Sequence, residues 1–485
     1  MSQNNIFIRT LGVITLATSC SLPWLFGCAA EVAGTTPPDQ ALYYPTTMEV
    51  SSDGRYVYVV NSNFNQTYSS GWISVIDLEG AIASAANDNL SIIPRADGGQ
   101  LRVIGLGGEL AISAAGTQAL MPHRGLNPRN EVMISRLELG ENGAISCGVA
   151  DFEDGFTGRE AATDCDEDHL IRVRSDGTDD LDPTVFPRED VVVGQQENGY
   201  HAHAFTWVDL DGEPREMVAI GYVNSGIVRF YELADGQYQF VDVLNTGLGS
   251  VGHLGLHPDV NSPFLIVGGS TSSVSRLASI DLSRSFSEAS TIAYSHSQPP
   301  NGGRKVFAFD FLPGTHELLI ANRSGLATGS PGTDSFANSL VRLNAGLQRT
   351  TIQNPDGTWD DEVLRPAMTV EETVLLNGRA TDVLTFTKLN GDTMVAVPGF
   401  DNSKLSIFEA SDGVLNLVSV LELDELNPDD LGVGEGPVVA RHVQLGGKDL
   451  LLVLNFYGHS LSIMDVSADN ANEFTLITKV QNVSN

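Results

Sequence analysis

The chain has 485 residues, with 49 Gly and 21 Pro among many short runs of Val, Ile, Leu and Tyr, and is 42% hydrophobic. That composition describes a folded chain of strands and turns and excludes a disordered or helix-dominated one. Its 27 basic residues face 61 acidic ones, a formal net charge of -34 with no basic stripe, which excludes a nucleic-acid partner and reads as a solvated surface.

At the N-terminus, residues 11–27 (LGVITLATSCSLPWLFG) are apolar and carry no charge. The run is broken by Pro23 and falls short of the roughly 20 residues a spanning helix needs, so residues 1–27 are expected to be a secretory signal peptide. Leu25-Phe26-Gly27-Cys28 resembles the lipobox of bacterial lipoproteins, which implies acylation of Cys28, with Cys20 as a competing site. Ala29 stands where an inner-membrane retention signal would place aspartate. The resemblance therefore implies an outer-membrane lipoprotein, on the periplasmic or cell-surface side, with the membrane as partner through its lipid. Residues 28–44, with Thr-Thr-Pro-Pro, read as a tether. Cys147 and Cys165 are the other cysteines. In an oxidising compartment they are expected to form a disulfide worth on the order of 3 kcal/mol, with two free thiols as the alternative.

From residue 45 a single phrase organises the chain. Residues 50–78 combine an Asp53-Gly54 turn, an apolar strand from Tyr56 to Val60, a polar loop, and a second strand around Trp72, Ile73, Val75 and Ile76. Neither strand alternates between apolar and polar residues, so both faces of the sheet must be covered. The phrase recurs at 116–137, 211–233, 262–282, 313–343 (interrupted), 390–410 and 446–466, making seven copies. Each copy has an apolar strand before its turn, and most have another after it. Four strands per copy and seven copies predict an all-β fold, a seven-bladed β-propeller of four-stranded antiparallel blades over residues 45–482.

The Tyr58-Val59-Val60-Asn61 run resembles the YVTN-type β-propeller repeat of bacterial envelope proteins. The wider group includes lactonase-like propellers, whose blade-opening strands carry His-x-His and Arg-His pairs similar to His201-Ala202-His203 and Arg441-His442. Asp382 stands where those propellers often place Glu. The resemblance implies the fold, and lactone hydrolysis as one activity this scaffold hosts.

The largest insertion, about 148–198, holds 14 acidic residues against four arginines between Asp151 and Asp190. A solvated acidic flap is favoured there over a Ca²⁺ site, since no EF-hand spacing is present. No Gly-x-Ser-x-Gly elbow, Cys-x-x-Cys or His-Glu-x-x-His motif occurs.

In a propeller the first strand of each blade lines the central channel, and its entry end shares one face with the loop joining strands two and three. His201, His203, His253, Arg304, Arg379, Asp382, Arg441 and His442 are expected at entry ends, and His123, Arg124, Arg323 and His459 in those loops. Pro45, Thr46 and Thr47 would be the first blade's contribution. Six of the ten histidines thus map to one face of an acidic protein, where basic groups would attract a small anion. A structural polar channel is the bland alternative, and a transition metal at the histidines a less favoured one. The favoured function is a monomeric module binding an envelope protein, peptide, glycan or small anion. A hydrolase or metal enzyme using the same mouth is the alternative.

Overall fold

The computed structural model describes residues 37–38, 41–65, 67–86, 95–124, 133–148, 163–173, 199–208, 212–223, 225–259, 263–270, 275–282, 305–323, 338–353, 359–411, 413–423 and 435–481. The signal and lipidation segment with Cys28, Arg304, and most of the acidic insertion lie outside them. The chain forms a ring of seven antiparallel blades whose strands run in sequence order from the channel outward. The inner strands are Pro45–Val50, Ala111–Ile112, Gly199–Val208, Ser250–Leu256, Lys305–Phe311, Leu384–Thr387 and Pro437–Leu445. Helix Leu78–Ala86 precedes the outer strand of the first blade, Arg95–Val103. In the fifth blade a hairpin, Leu347–Gln353 with Trp359–Pro366, precedes the outer strand.

The unbroken apolar strands have a direct explanation in the packing. Buried side chains form seven clusters, one for each seam between adjacent blades. Along Tyr56–Asn61, Tyr56, Tyr58 and Val60 enter the seam with the second blade, while Val57 and Val59 enter the seam with the seventh. Successive side chains point to opposite faces, and both faces are seams.

The ring closes without strand exchange. All four strands of the first blade and all four of the seventh come from continuous chain, so closure rests on side chains. Met48, Val57 and Val59 pack there against Leu452, Leu454, Leu461 and Ile463.

The second blade departs most from the repeat. Its outer position is shared by Ile145–Ser146 and Leu170–Arg172, both paired with Met133–Leu139. Cys147 and Cys165 are bonded in the structure, with S–S 2.10 Å and Cα–Cα 4.5 Å, so the disulfide joins the two halves of that position.

One irregularity recurs in every blade and positions the site. Near the start of each inner strand an extra residue bulges out of register with the second strand. The bulged residues are Thr46, Tyr200, Gly252, Phe307 and Val438 in blades one, three, four, five and seven. In blades two and six the bridges Gly107↔His123 and Ala380↔Gly399, set against the strand pairs that follow, put the same insertion at Gly108 and Thr381. A bulge re-aims the residues after it, and here it does so seven times around one axis.

Candidate functional site at the channel entry

Counting from the bulge defines two rings of residues. The first position after it is Thr47, Glu109, His201, His253, Ala308, Asp382 and Val439 in blade order. The third is Glu49, Ala111, His203, Gly255, Asp310, Leu384 and Arg441. Two residues of strand separate the rings, about 6–7 Å.

Arg441 shows that these positions meet. Its Nε donates to Glu49 Oε1 at 3.1 Å across the closing seam, and its Nη1 to Asp382 Oδ2 at 3.2 Å across the opposite seam. Its charge is also felt by Glu109, His253 and Asp310, from blades two, four and five. Only a group near the axis reaches that many blades.

The first ring carries the denser chemistry. Glu109 Oε1 lies 3.0 Å from His201 Nδ1, and Glu109 Oε2 accepts from the Ala202 N–H at 3.1 Å. His201 and His253 have ring centroids 6.2 Å apart, and His253 sits edge-on to Phe309 at 4.8 Å. Burial opposes the charge of Glu109, but His201, His253 and Arg441 together outweigh it and hold its carboxyl down at about 2. Burial pushes His203 down to about 4 and His253 to about 3.

Asp382 behaves in the opposite way. Burial pushes its carboxyl up to about 7, against Arg441 and the backbone donors Ala440 and Val383. Arg441 is itself shifted upward despite burial, by Glu49 and Asp382, so one contact stabilises the guanidinium charge yet leaves the carboxylate under-compensated. The sharing of donors accounts for this. Two guanidinium nitrogens go to Glu49, while the Nη1 that reaches Asp382 also donates to the Ala440 carbonyl at 2.8 Å. The upward direction for Asp382 follows.

The structure therefore gathers His201, His203, His253, Asp382 and Arg441 at the channel entry. Arg124 lies close by, its guanidinium 4.5 Å over the ring of Tyr200, the bulged residue of blade three. The remaining expected mouth residues go elsewhere. His442 follows Arg441 on the strand and so points to the opposite face, where Nε2 bonds Asp449 Oδ1 at 3.0 Å and the ring stacks on Phe386. His123 is buried and bonds Ser135 Oγ at 2.7 Å. It occupies the register position that Asn61 fills in blade one, where Asn61 Nδ2 donates to Ser74 Oγ at 3.0 Å, so it performs the repeat's own structural task. His459 packs among Tyr43 and Tyr44, and Arg379 donates from Nε to Asp401 Oδ2 at 3.1 Å. Arg323 ends its strand, and its side chain lies outside the description.

Sequence reasoning missed Glu49, Glu109 and Asp310. Pro45, Thr46 and Thr47 were expected to represent blade one, yet Glu49 is the residue that reaches the axis, two positions along the same face from Thr47. Among the described residues four carboxyl groups thus accompany the histidines and Arg441, where a basic, anion-attracting mouth was expected.

Fold and site together define a propeller with an ionisable cluster on its axis. Solved structures of similar architecture include the periplasmic gluconolactonase PpgL of Pseudomonas aeruginosa. It is 14% identical, with a TM-score of 0.47, covering 82% of this chain and 88% of that one. The Dos1 propeller is 9% identical, with a TM-score of 0.46 and coverage of 93% and 88%. A putative 6-phosphogluconolactonase from Bacteroides fragilis NCTC 9343 is 12% identical, with a TM-score of 0.44 and coverage of 92% and 97%. No protein-family model and no curated protein matches the chain.

Proposed function

We propose that this protein binds a small polar ligand at the entry half of its central channel. The observation that carries the reading is the double ring: ionisable side chains from all seven blades, aimed by one repeated bulge, meet near the propeller axis. A structural channel needs polarity, but among the described residues His203 and His253 make no hydrogen bond, and the carboxyl groups of Glu49, Glu109, Asp310 and Asp382 outnumber the guanidinium groups of Arg441 and Arg124. That balance favours a cationic or polyhydroxylated ligand over an anion. Calorimetry against a panel of sugars, sugar lactones, amines and anions tests it. Binding should fall at least tenfold in His203→Ala and Asp382→Asn and persist in His316→Ala. Binding indifferent to all three would place the ligand elsewhere.

Catalysis is a second reading, favoured by one observation: Asp382, whose carboxyl is pushed up to about 7 beside Arg441, suits a general acid that protonates a leaving alkoxide. Ring opening of lactones followed by pH-stat should then fall by about 10²–10⁴-fold in Asp382→Asn. The N-terminal sequence further supports export and anchoring through lipid on Cys28, and the Cys147–Cys165 bond suits an oxidising compartment. Detergent phase partition of the full chain, lost in Cys28→Ala, tests the anchor.

A further inference from the structure

We infer that Glu109, His201 and His253 form a binding centre for a divalent first-row transition metal ion. The proposal deepens the channel reading, because it assigns that site an inorganic ligand. Among the described residues this is the one group of three such side chains whose ligating atoms all lie within 4.8 Å of one another.

The three residues are the same ring position of consecutive blades two, three and four, so a single backbone device aims them together. Their order in sequence gives no motif, since 92 residues separate Glu109 from His201. Metal–ligand bonds of about 2.0–2.2 Å require ligand atoms about 3.0–3.5 Å apart. Glu109 Oε1 and His201 Nδ1 already stand at 3.0 Å. The ligating nitrogen of His253 lies within 4.8 Å of both, and its ring packs on Phe309 and makes no hydrogen bond among the described residues.

Donor chemistry selects the class of ion. Two imidazoles and a carboxylate suit Zn²⁺, Fe²⁺ or Co²⁺ and leave positions open for water or substrate. Ca²⁺ and Mg²⁺ want six or more oxygens, which this set does not offer. Support behind the ligands is present on the carboxylate side. The Ala202 N–H holds Glu109 Oε2, and the Glu109 N–H donates to the Tyr200 carbonyl at 2.7 Å, so carboxylate and His201 are fixed against each other. The positive charge of Arg441 nearby is taken up by Glu49 and Asp382, its ion-pair partners.

The test uses the full chain, stripped with EDTA and titrated with Zn²⁺ by calorimetry and with Co²⁺ by visible absorption. One equivalent should bind, with a d–d band from Co²⁺. Glu109→Gln and His253→Ala should each weaken binding at least about 100-fold, and His316→Ala should not. His253→Gln, which keeps more of the side-chain volume, serves if His253→Ala fails to fold, as judged by circular dichroism. No ion taken up, or uptake indifferent to Glu109 and His253, overturns the metal centre. Small-molecule binding that survives in a stripped chain taking up no ion removes the metal alone. Ion uptake that depends on Glu109 and His253, with no small molecule bound, sustains the metal and removes the wider ligand reading.

Discussion

Replacing Asp382 by Asn should change how stability depends on pH more than it changes stability itself. An aspartate in an unfolded chain titrates near 3.9, whereas burial holds Asp382 at about 7 in the fold. The native state therefore grips the proton more tightly than the unfolded state does. Its contribution is fully present below about pH 4 and is lost as pH rises through about 7. Three units at about 1.4 kcal/mol each give roughly 4 kcal/mol as an upper bound, which water in the channel reduces. Asn cannot ionise, so it escapes that loss. It retains one carbonyl oxygen where Asp382 uses two, accepting from Val383 N–H at 2.9 Å and Ala440 N–H at 3.0 Å, so it pays a flat cost of about 1 kcal/mol. Urea unfolding between pH 4 and 8.5 should show the wild type the more stable at pH 4 and the variant overtaking it by pH 8. Two curves that stay parallel would mean that Arg441 keeps Asp382 ionised throughout, and the argument from shared donors would fail.

Three further outcomes are expected. Reduction of Cys147–Cys165, which spans a sequence separation of 18, should cost about 3 kcal/mol in urea unfolding, and an unchanged midpoint would show that the split outer strand holds without it. Gly252→Ala would drive its new Cβ into the Val306 carbonyl of the next blade, so a loss of about 1–3 kcal/mol with altered His253 chemistry is expected by thermal unfolding and histidine NMR. His123→Ala should cost about 1–3 kcal/mol through the lost bond to Ser135, while His123→Asn, which restores the residue found at Asn61 and Asn455, should cost less than about 1 kcal/mol. Equal losses in both would refute its assignment to the repeat.

The propeller was legible because its cause is local and repeated. Seven turn phrases and strands apolar on both faces can be read directly, and the seven seam clusters are their physical counterpart. The site was legible only in part. His201, His203 and Arg441 drew notice as ionisable residues at the entry ends of inner strands, but strand alternation sends His442 away from the axis, and the Arg-His pair alone does not say which residue faces in. Glu109 went unnoticed because its inner strand has only two residues, Ala111–Ile112, and reads as a glycine-rich loop. A signal was present: Glu109 stands seven residues before the turn residue Gly116, as Thr47 does before Gly54.

What the sequence determines by itself is the repeat: blade number, strand order and the demand for two covered faces, since each follows from residues close together in the chain. The tertiary structure decides which ionisable groups meet. A bulge shifts register by one residue and so exchanges the faces of a strand, and ring closure brings Glu49 within reach of Arg441, 392 residues away. Ring closure has no local signature, and the charge of the channel follows from both effects.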